Sequence, residues 1–220
     1  AGDQALLVVA DGMGGHQGGE VASRLAVDAI IESLEPEIAG ASSGTTDADI
    51  RGKLDRAFRL ANERIVSRRS GDPRLEKMGT TLVVAWLSGN QAHIAHIGDS
   101  RCYSLRGSQA LCLTRDDTVV QNMLEDGSIT RADVPNVPFR NVLTRAVGTV
   151  EQAAPSYRRE TLDEGDVLLL CSDGLTDSVP EYRWLEIHKE SDGMERTVQA
   201  MIDAGLANEA GDNVSVVLLT

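Results

Sequence analysis

TTLVVAWLSGNQAHIAHIGDSRCYSLRG, residues 80–107, is the stretch whose reading decides the fold. It holds three short runs of β-type composition, 80–87, 91–97 and 101–105. Ser88-Gly89-Asn90 separates the first two, and Arg106-Gly107-Ser108 follows the third; both are hairpin signals. Consecutive strands joined by tight turns make antiparallel sheet, and residues 110–113 extend the meander. Upstream, LLVVA at 6–10 reads as a buried strand, and the five glycines between Gly12 and Gly19 predict an irregular segment. A helix is expected over 20–34, with Val21, Leu25, Ile30, Ile31 and Leu34 on its apolar face. After a small-residue loop at 40–46, a second helix is expected over 48–69, capped by Asp47. Downstream the pattern predicts a short helix at 118–125, an irregular excursion at 126–140, and strands at 157–161 and 167–171. Helices at 181–189 and 194–207 follow, and a strand at 214–219 ends the series. Two helices early and two late can cover the outer faces of a sheet pair, an α+β arrangement. A length of 220 residues suits one domain, 1–220.

Composition narrows the function classes. Lys and Arg total 21 against 34 Asp and Glu, a net charge of −13, which repels nucleic acid and anionic membrane alike. No apolar stretch reaches the length of a membrane span. Cys102, Cys112 and Cys171 are odd in number and without C-x-x-C spacing, which argues against a zinc site or a disulfide framework and suits a reducing, cytoplasmic setting. The C-x5-R pattern of a cysteine nucleophile is also absent, since the sixth residue after each cysteine is Ser108, Thr118 or Asp177.

Three aspartates share one context. Asp11 follows LLVVA, Asp173 follows VLLLCS, and Asp212 precedes the VSVVLL run. Each stands at the end of a strongly apolar strand, and three such strands side by side could gather the carboxylates at one rim. Carboxylates so gathered repel each other unless protonated or neutralised by cations, and hard oxygen ligands favour Mg²⁺, Mn²⁺ or Ca²⁺ over zinc. Asp-Gly after a strand is also an ordinary turn. Asp126-Gly127 and Asp192-Gly193 read as turns only, so spacing alone leaves both readings of the three aspartates open. The glycine-rich loop is not a nucleotide cradle. G-x-G-x-x-G from Gly12 would need glycine where Gln17 stands, and no lysine supplies a P-loop.

Val9-Ala10-Asp11-Gly12-Met13-Gly14-Gly15-His16, with Gly18-Gly19-Glu20 and Ala22-Ser23 after it, resembles the signature of the bacterial branch of the protein phosphatase 2C family. Six further segments match in order: Gly79-Thr80-Thr81, the run from His96 to Arg101, Leu113 to Asp116, Leu143 to Gly148, Ser172 to Asp177, and Gly211 to Ser215. The resemblance implies an α-β-β-α four-layer sandwich, two antiparallel sheets each flanked by a helix pair. It implies a metal-dependent serine/threonine protein phosphatase acting by direct attack of a metal-bridging hydroxide. Two Mg²⁺ or Mn²⁺ ions are implied, Asp11 bridging them, the Gly12 carbonyl at one, Asp173 and Asp212 at the other. Asp116 matches the position of a third, weaker ion shared with Asp173.

The same likeness puts Thr81 near the metal waters. It puts Asp177 one helical turn from Asp173, where it could hold a metal-bound water. Asp99 and Asn213 take supporting places around the ligands. His16 is a candidate proton donor by its titration range, and equally a residue that orders its loop. The family's phosphate-gripping arginine, with an accompanying acidic residue, belongs to a strand segment expected upstream of Asp3. A phosphorylated protein is the implied substrate, and a bacterial Ser/Thr kinase the implied opposing activity. The rival reading is a non-catalytic phosphoprotein-binding scaffold, which predicts lost metal ligands, whereas Asp11, Asp173 and Asp212 are all present.

Overall fold

The computed structural model describes residues 4–40, 45–208 and 210–220, His16 by its backbone alone. The chain runs through β1 (Gln4–Val9), β2 (Gly12–Met13), α1 (His16–Ala39), α2 (Asp47–Ser70), β3 (Gly79–Thr80), β4 (Leu82–Ser88), β5 (Gln91–Ile97), β6 (Arg101–Arg106) and β7 (Gln109–Cys112). It continues through α3 (Val119–Glu125), β8 (Ser156–Thr161), β9 (Val167–Cys171), α4 (Asp173–Ser178), α5 (Glu181–Glu190), α6 (Met194–Ala207) and β10 (Val216–Leu219). Every pairing is antiparallel. One sheet has the order β1-β4-β5-β8, a second β10-β9-β6-β7, and β2 with β3 forms a two-residue ribbon.

The apolar runs are continuous because both faces of each central strand are covered. In β4, Leu82, Val84 and Trp86 pack under α1 and α2, while Val83, Ala85 and Leu87 turn inward between the sheets. In β9, Leu168 and Leu170 take the inner face, and Val167, Leu169 and Cys171 meet Trp184, Ile187 and Met201 of α5 and α6. Four layers result, helix pair, sheet, sheet, helix pair, as the family likeness implies. No described helix is long and apolar enough to cross a membrane.

Several local expectations need correction. Helix α1 starts at His16, inside the glycine-rich segment, and continues through Pro36 to Ala39. Its buried stripe is Ala22, Ala26, Ala29, Ile30 and Leu34, whereas Ile31 is 41% exposed. Alanines at this period let α1 lie close against α2, and an apolar count weighted to large residues overlooks them. The cap of α2 is Thr46, not Asp47. Thr46 Oγ1 accepts the Asp49 amide at 3.2 Å, and Asp49 accepts the Thr46 amide at 3.0 Å. This reciprocal box selects one of two cap-competent neighbours. The loop expected at 40–46 has residues 41–44 outside the described part. The excursion 126–140 is irregular apart from a 3-10 turn, Val134–Asn136. Asp126 accepts the Ser128 amide, an ordinary turn contact. Cys112 is half-buried, while Cys102 and Cys171 are buried, all with free thiols.

Candidate metal centre

The topology brings three strand ends to one rim. β9 and β10 are antiparallel neighbours in register Val216↔Cys171, so the residues after β9 and before β10 meet. β1 lies in the facing sheet and is also in contact with both. Asp11, Asp173 and Asp212 therefore converge with two strands side by side and the third across the sandwich, not three in one sheet.

Asp11 is held by its backbone. Its N–H donates to Thr81 Oγ1 at 3.0 Å, and its carbonyl accepts the Thr81 amide and the Thr80 hydroxyl, each at 2.8 Å. Thr81 Oγ1 also shares a 2.7 Å hydrogen bond with Ser100. With its backbone fixed, the Asp11 side chain is free to face the cleft. On the other side, Ser172 ties down the 211–215 loop. Its hydroxyl donates to the Asn213 carbonyl and accepts the Ser215 amide, each at 3.1 Å. A Cβ on Gly174 would run into that same Asn213 carbonyl, so only glycine allows the loop to approach α4. Asp212 sits exposed at the turn and accepts the Asn213 amide at 2.7 Å.

The electrostatics of this rim are unbalanced. Burial pushes the Asp11 carboxyl up to about 7. The charges of Asp173 and Asp212 add to this, and so does the close approach of the Asp173 carboxyl. Asp173 is raised too, by burial first and then by Asp177 and Asp212. Its Oδ1 is buried with no hydrogen-bond partner. Asp99 is pushed up to about 7 by burial and then by Asp173 and Asp116. Among the described residues no three acidic, histidine or cysteine side chains are drawn tightly enough to close a metal shell alone. That fits carboxylates that repel each other, and it fits Mg²⁺-type ions, which take one or two carboxylates and keep several waters. The orphaned Asp173 oxygen, the mutual repulsion of the Asp11, Asp173 and Asp212 carboxylates and the all-oxygen donor set suit hard divalent cations, whose charge would reverse these shifts.

Three clefts meet here. A cleft of about 870 Å³ is lined by Asp11, Gly12, Glu20, Asp212 and Asn213. A second of about 270 Å³ holds Asp173, Asp177, Asp212 and Arg140. A third of about 380 Å³ holds Asp99, Arg101, Asp116, Asp173, Asp177 and Arg140. Thus Asp212 is shared by the first two clefts and Asp173 by the last two. The Gly12 carbonyl faces Gly19 of α1 across the floor of the first cleft. The side chain of His16 lies outside the described residues. Asn213 enters through its backbone, as acceptor for Ser172.

Asp116 is not free. Arg101 binds it with two parallel hydrogen bonds, at 2.9 and 2.6 Å. Sequence reasoning missed Ser100, Ser172, Arg140 and Asp117. Asp117 is buried, accepts the Gly98 amide at 3.0 Å and pairs with Arg145 at 3.3 Å, organising the loop that carries Asp99. Its only signal is its place beside Asp116. Replacing Thr81 by valine keeps the shape and leaves the Asp11 amide without its acceptor. A loss of about 1–3 kcal/mol in a thermal melt is expected, with slower turnover from a looser Asp11.

The sequence model of the protein phosphatase 2C family matches residues 1–209. The chain is 38% identical over 213 residues to the serine/threonine protein phosphatase PstP of Mycobacterium tuberculosis, covering 97% of this chain and 40% of that protein. It is 35% identical over 217 residues to the serine/threonine phosphatase stp of Listeria monocytogenes, covering 99% and 84%. A solved structure of the PstP catalytic domain in complex with two manganese ions superposes with a TM-score of 0.83 at 36% identity, over 97% of this chain and 86% of that one. This chain therefore spans less than half of the mycobacterial relative and most of the listerial one.

Proposed function

We propose, because this chain belongs to the protein phosphatase 2C family, that residues 1–220 form one catalytic unit hydrolysing phosphoserine and phosphothreonine in proteins with two divalent cations, Mg²⁺ or Mn²⁺. The observation that carries the reading is the buried Asp173 oxygen that has no partner, at the rim where the Asp11 and Asp212 carboxyls converge on it. Such a rim is short of positive charge, and hard divalent ions supply it with matching chemistry. Asp11 would be shared by both ions, the Gly12 carbonyl would join it at one, and Asp173 and Asp212 would serve the other. When bound, the ions would supply an acidified water and neutralise the charge that develops on the phosphoryl oxygens.

The chain's own residues position the reaction. Thr81 and Ser100 fix the Asp11 backbone, and Ser172 fixes the loop carrying Asp212. Asp177 and Asp99 face the clefts as acceptors that orient water. Arg140 stands on the wall of two clefts as a donor for phosphate oxygens. In the reaction, water oxygen bonds to phosphorus, the bond from phosphorus to the side-chain oxygen breaks, and a proton from water goes to that oxygen. Inorganic phosphate and a free hydroxyl leave, with no phosphoenzyme. Burial raises the Cys102 and Cys171 thiols, so neither offers a thiolate nucleophile. The substrate is a phosphorylated protein in the cytoplasm, and the opposing activity a bacterial Ser/Thr kinase.

The test is phosphate release from a phosphothreonine peptide. It should need Mn²⁺, vanish with chelator, return on adding Mn²⁺, and survive a thiol-blocking reagent. Release that persists in chelator, or that thiol alkylation stops, overturns the reading.

A further inference from the structure

The segment that carries α3 and Arg140 is tied at both ends to one place, Asp117. The Asp117 carbonyl accepts the Thr144 amide at 2.8 Å. The next residues continue the join, with Thr118 bridged to Leu143 and the Val119 amide donating to the Val142 carbonyl at 3.0 Å. The Asp117 carboxylate is buried at this join, and its two oxygens serve opposite sides. Oδ2 accepts the Gly98 amide at 3.0 Å, on the side of the metal rim. Gly98 lies directly against Thr81, which holds Asp11. Oδ1 accepts Nη1 of Arg145 at 3.3 Å, on the side of the returning segment. Arg145 also reaches the start of β8, through Nη1 to Ser156 Oγ at 3.4 Å and through Nη2 to the Ala154 carbonyl. A second cation, Arg115, stands 3.9 Å from Oδ1 but pairs with Glu125 at 2.6 Å.

We propose that the Asp117–Arg145 pair is a positioning device for substrate binding, fixing the segment that holds Arg140 over the metal rim. The proposal rests on the reading above, in which Arg140 receives phosphate oxygens. Between 126 and 140 the segment has no regular structure beyond one 3-10 turn, so its ends decide where Arg140 stands. A small change of angle at the join becomes a large displacement at Arg140. A buried, charge-assisted hydrogen bond at the join resists that change better than an exposed pair would. Neither Asp117 nor Arg145 lines the three clefts, so both act through Arg140. Asp117→Asn separates the two sides of the carboxylate. The amide oxygen still accepts from Gly98, whereas the NH₂ group faces Arg145 with no acceptor to offer.

The test is steady-state hydrolysis of a phosphothreonine peptide at saturating Mn²⁺, with Mn²⁺ affinity measured separately by equilibrium titration. Asp117→Asn and Arg145→Met should each raise KM about 10-fold with a smaller fall in kcat, and the double variant should be no worse than the worse single. In an Arg140→Met background, itself impaired, neither change should raise KM further. Mn²⁺ affinity should stay at the wild-type value in both single variants, because the rim side of the carboxylate keeps its partner. A folded variant with wild-type KM overturns the proposal, and so does an equal rise in KM in the Arg140→Met background. A Mn²⁺ affinity that falls in step with the rise in KM assigns the pair to the rim instead, and also overturns it. The Arg145 side chain is 32% exposed, so Arg145→Met decides the question if Asp117→Asn folds poorly. A wild-type chain that releases no phosphate in Mn²⁺ sinks the reading above and this proposal with it. Mn²⁺-dependent release by the wild type, unaltered in the variants, sinks the proposal alone.

Discussion

Asp11→Asn lowers phosphopeptide turnover by at least about 10³-fold, equivalent to roughly 4 kcal/mol of transition-state stabilisation, and leaves the fold intact. The amide keeps the shape of the carboxylate and removes the charge shared between the two proposed ions. The effect on stability depends on whether cations are present. Without them the Asp11 carboxyl is pushed up to about 7, from an ordinary value of 3.8, by burial and by Asp173 and Asp212. A raised carboxyl contributes its full stability below its unfolded value, near pH 4, and loses it as pH climbs through about 7. Screening in this open cleft reduces the span to about 1–2 kcal/mol. An asparagine does not titrate and can donate to Asp173. In chelator at pH 8 the variant should therefore melt no lower than the wild type, and the wild type should lose ground between pH 5 and 8 while the variant does not. Saturating Mn²⁺ should reverse the order, because ions that bind only the native wild type raise its stability by mass action. Turnover within tenfold of wild type, or melting curves with the same order in chelator and in Mn²⁺, would remove Asp11 from the centre.

How much of this was legible in the sequence follows from the range of each interaction. The meander 80–107 was readable because hairpins are local: turn chemistry and strand composition sit within a few residues of each other. The three aspartates were readable as candidates because strand ends are local too, but their meeting needs β1 in one sheet and β9 and β10 in the other. Asp116 and Asp117 show the limit. They are adjacent, yet one is clasped by Arg101, 15 residues away in sequence, and the other by the Gly98 amide and Arg145. No local pattern assigns those partners. The Ser172 clasp on the 211–215 loop spans about 40 residues and has no periodic signal. The start of α1 was misread because glycine argues against helix by propensity, while the reason for glycine there lies in a strand crossing that only the folded chain contains.

That crossing yields the second large expected effect. Gly19 lies inside α1, where helix propensity alone predicts that alanine stabilises by about 1 kcal/mol. A Cβ at Gly19, however, would stand 2.5 Å from the Gly12 carbonyl oxygen and 2.7 Å from its carbon. Both obstacles are backbone, so no rotamer change relieves them. Ordinary van der Waals contact requires α1 and the Asp11-Gly12 segment to part by about 1 Å. Overpacking of this kind costs about 1–3 kcal/mol where side chains can adjust, and more where only backbone can move. The clash therefore outweighs the propensity gain, and Gly19→Ala should be destabilised by about 2–3 kcal/mol, a fall in Tm of roughly 5–10 °C for a chain of this size. The shift acts directly on the centre, since the Gly12 carbonyl and the Asp11 carboxylate move with the strand end. A 1 Å misplacement of a reacting constellation costs on the order of 10²-fold in rate, so turnover should fall that far even at temperatures where the variant is fully folded. Mn²⁺ affinity should fall with it. A control at Gly15, where a Cβ meets nothing within 4 Å but the backbone has φ +87°, separates the two causes. Gly15→Ala carries conformational strain without the crossing clash, and should cost stability with a much smaller loss of Mn²⁺ affinity. If Gly19→Ala melts at or above the wild-type temperature with unchanged turnover, the strand and helix are not in the contact described, and the route by which the glycine-rich segment positions Asp11 must be different.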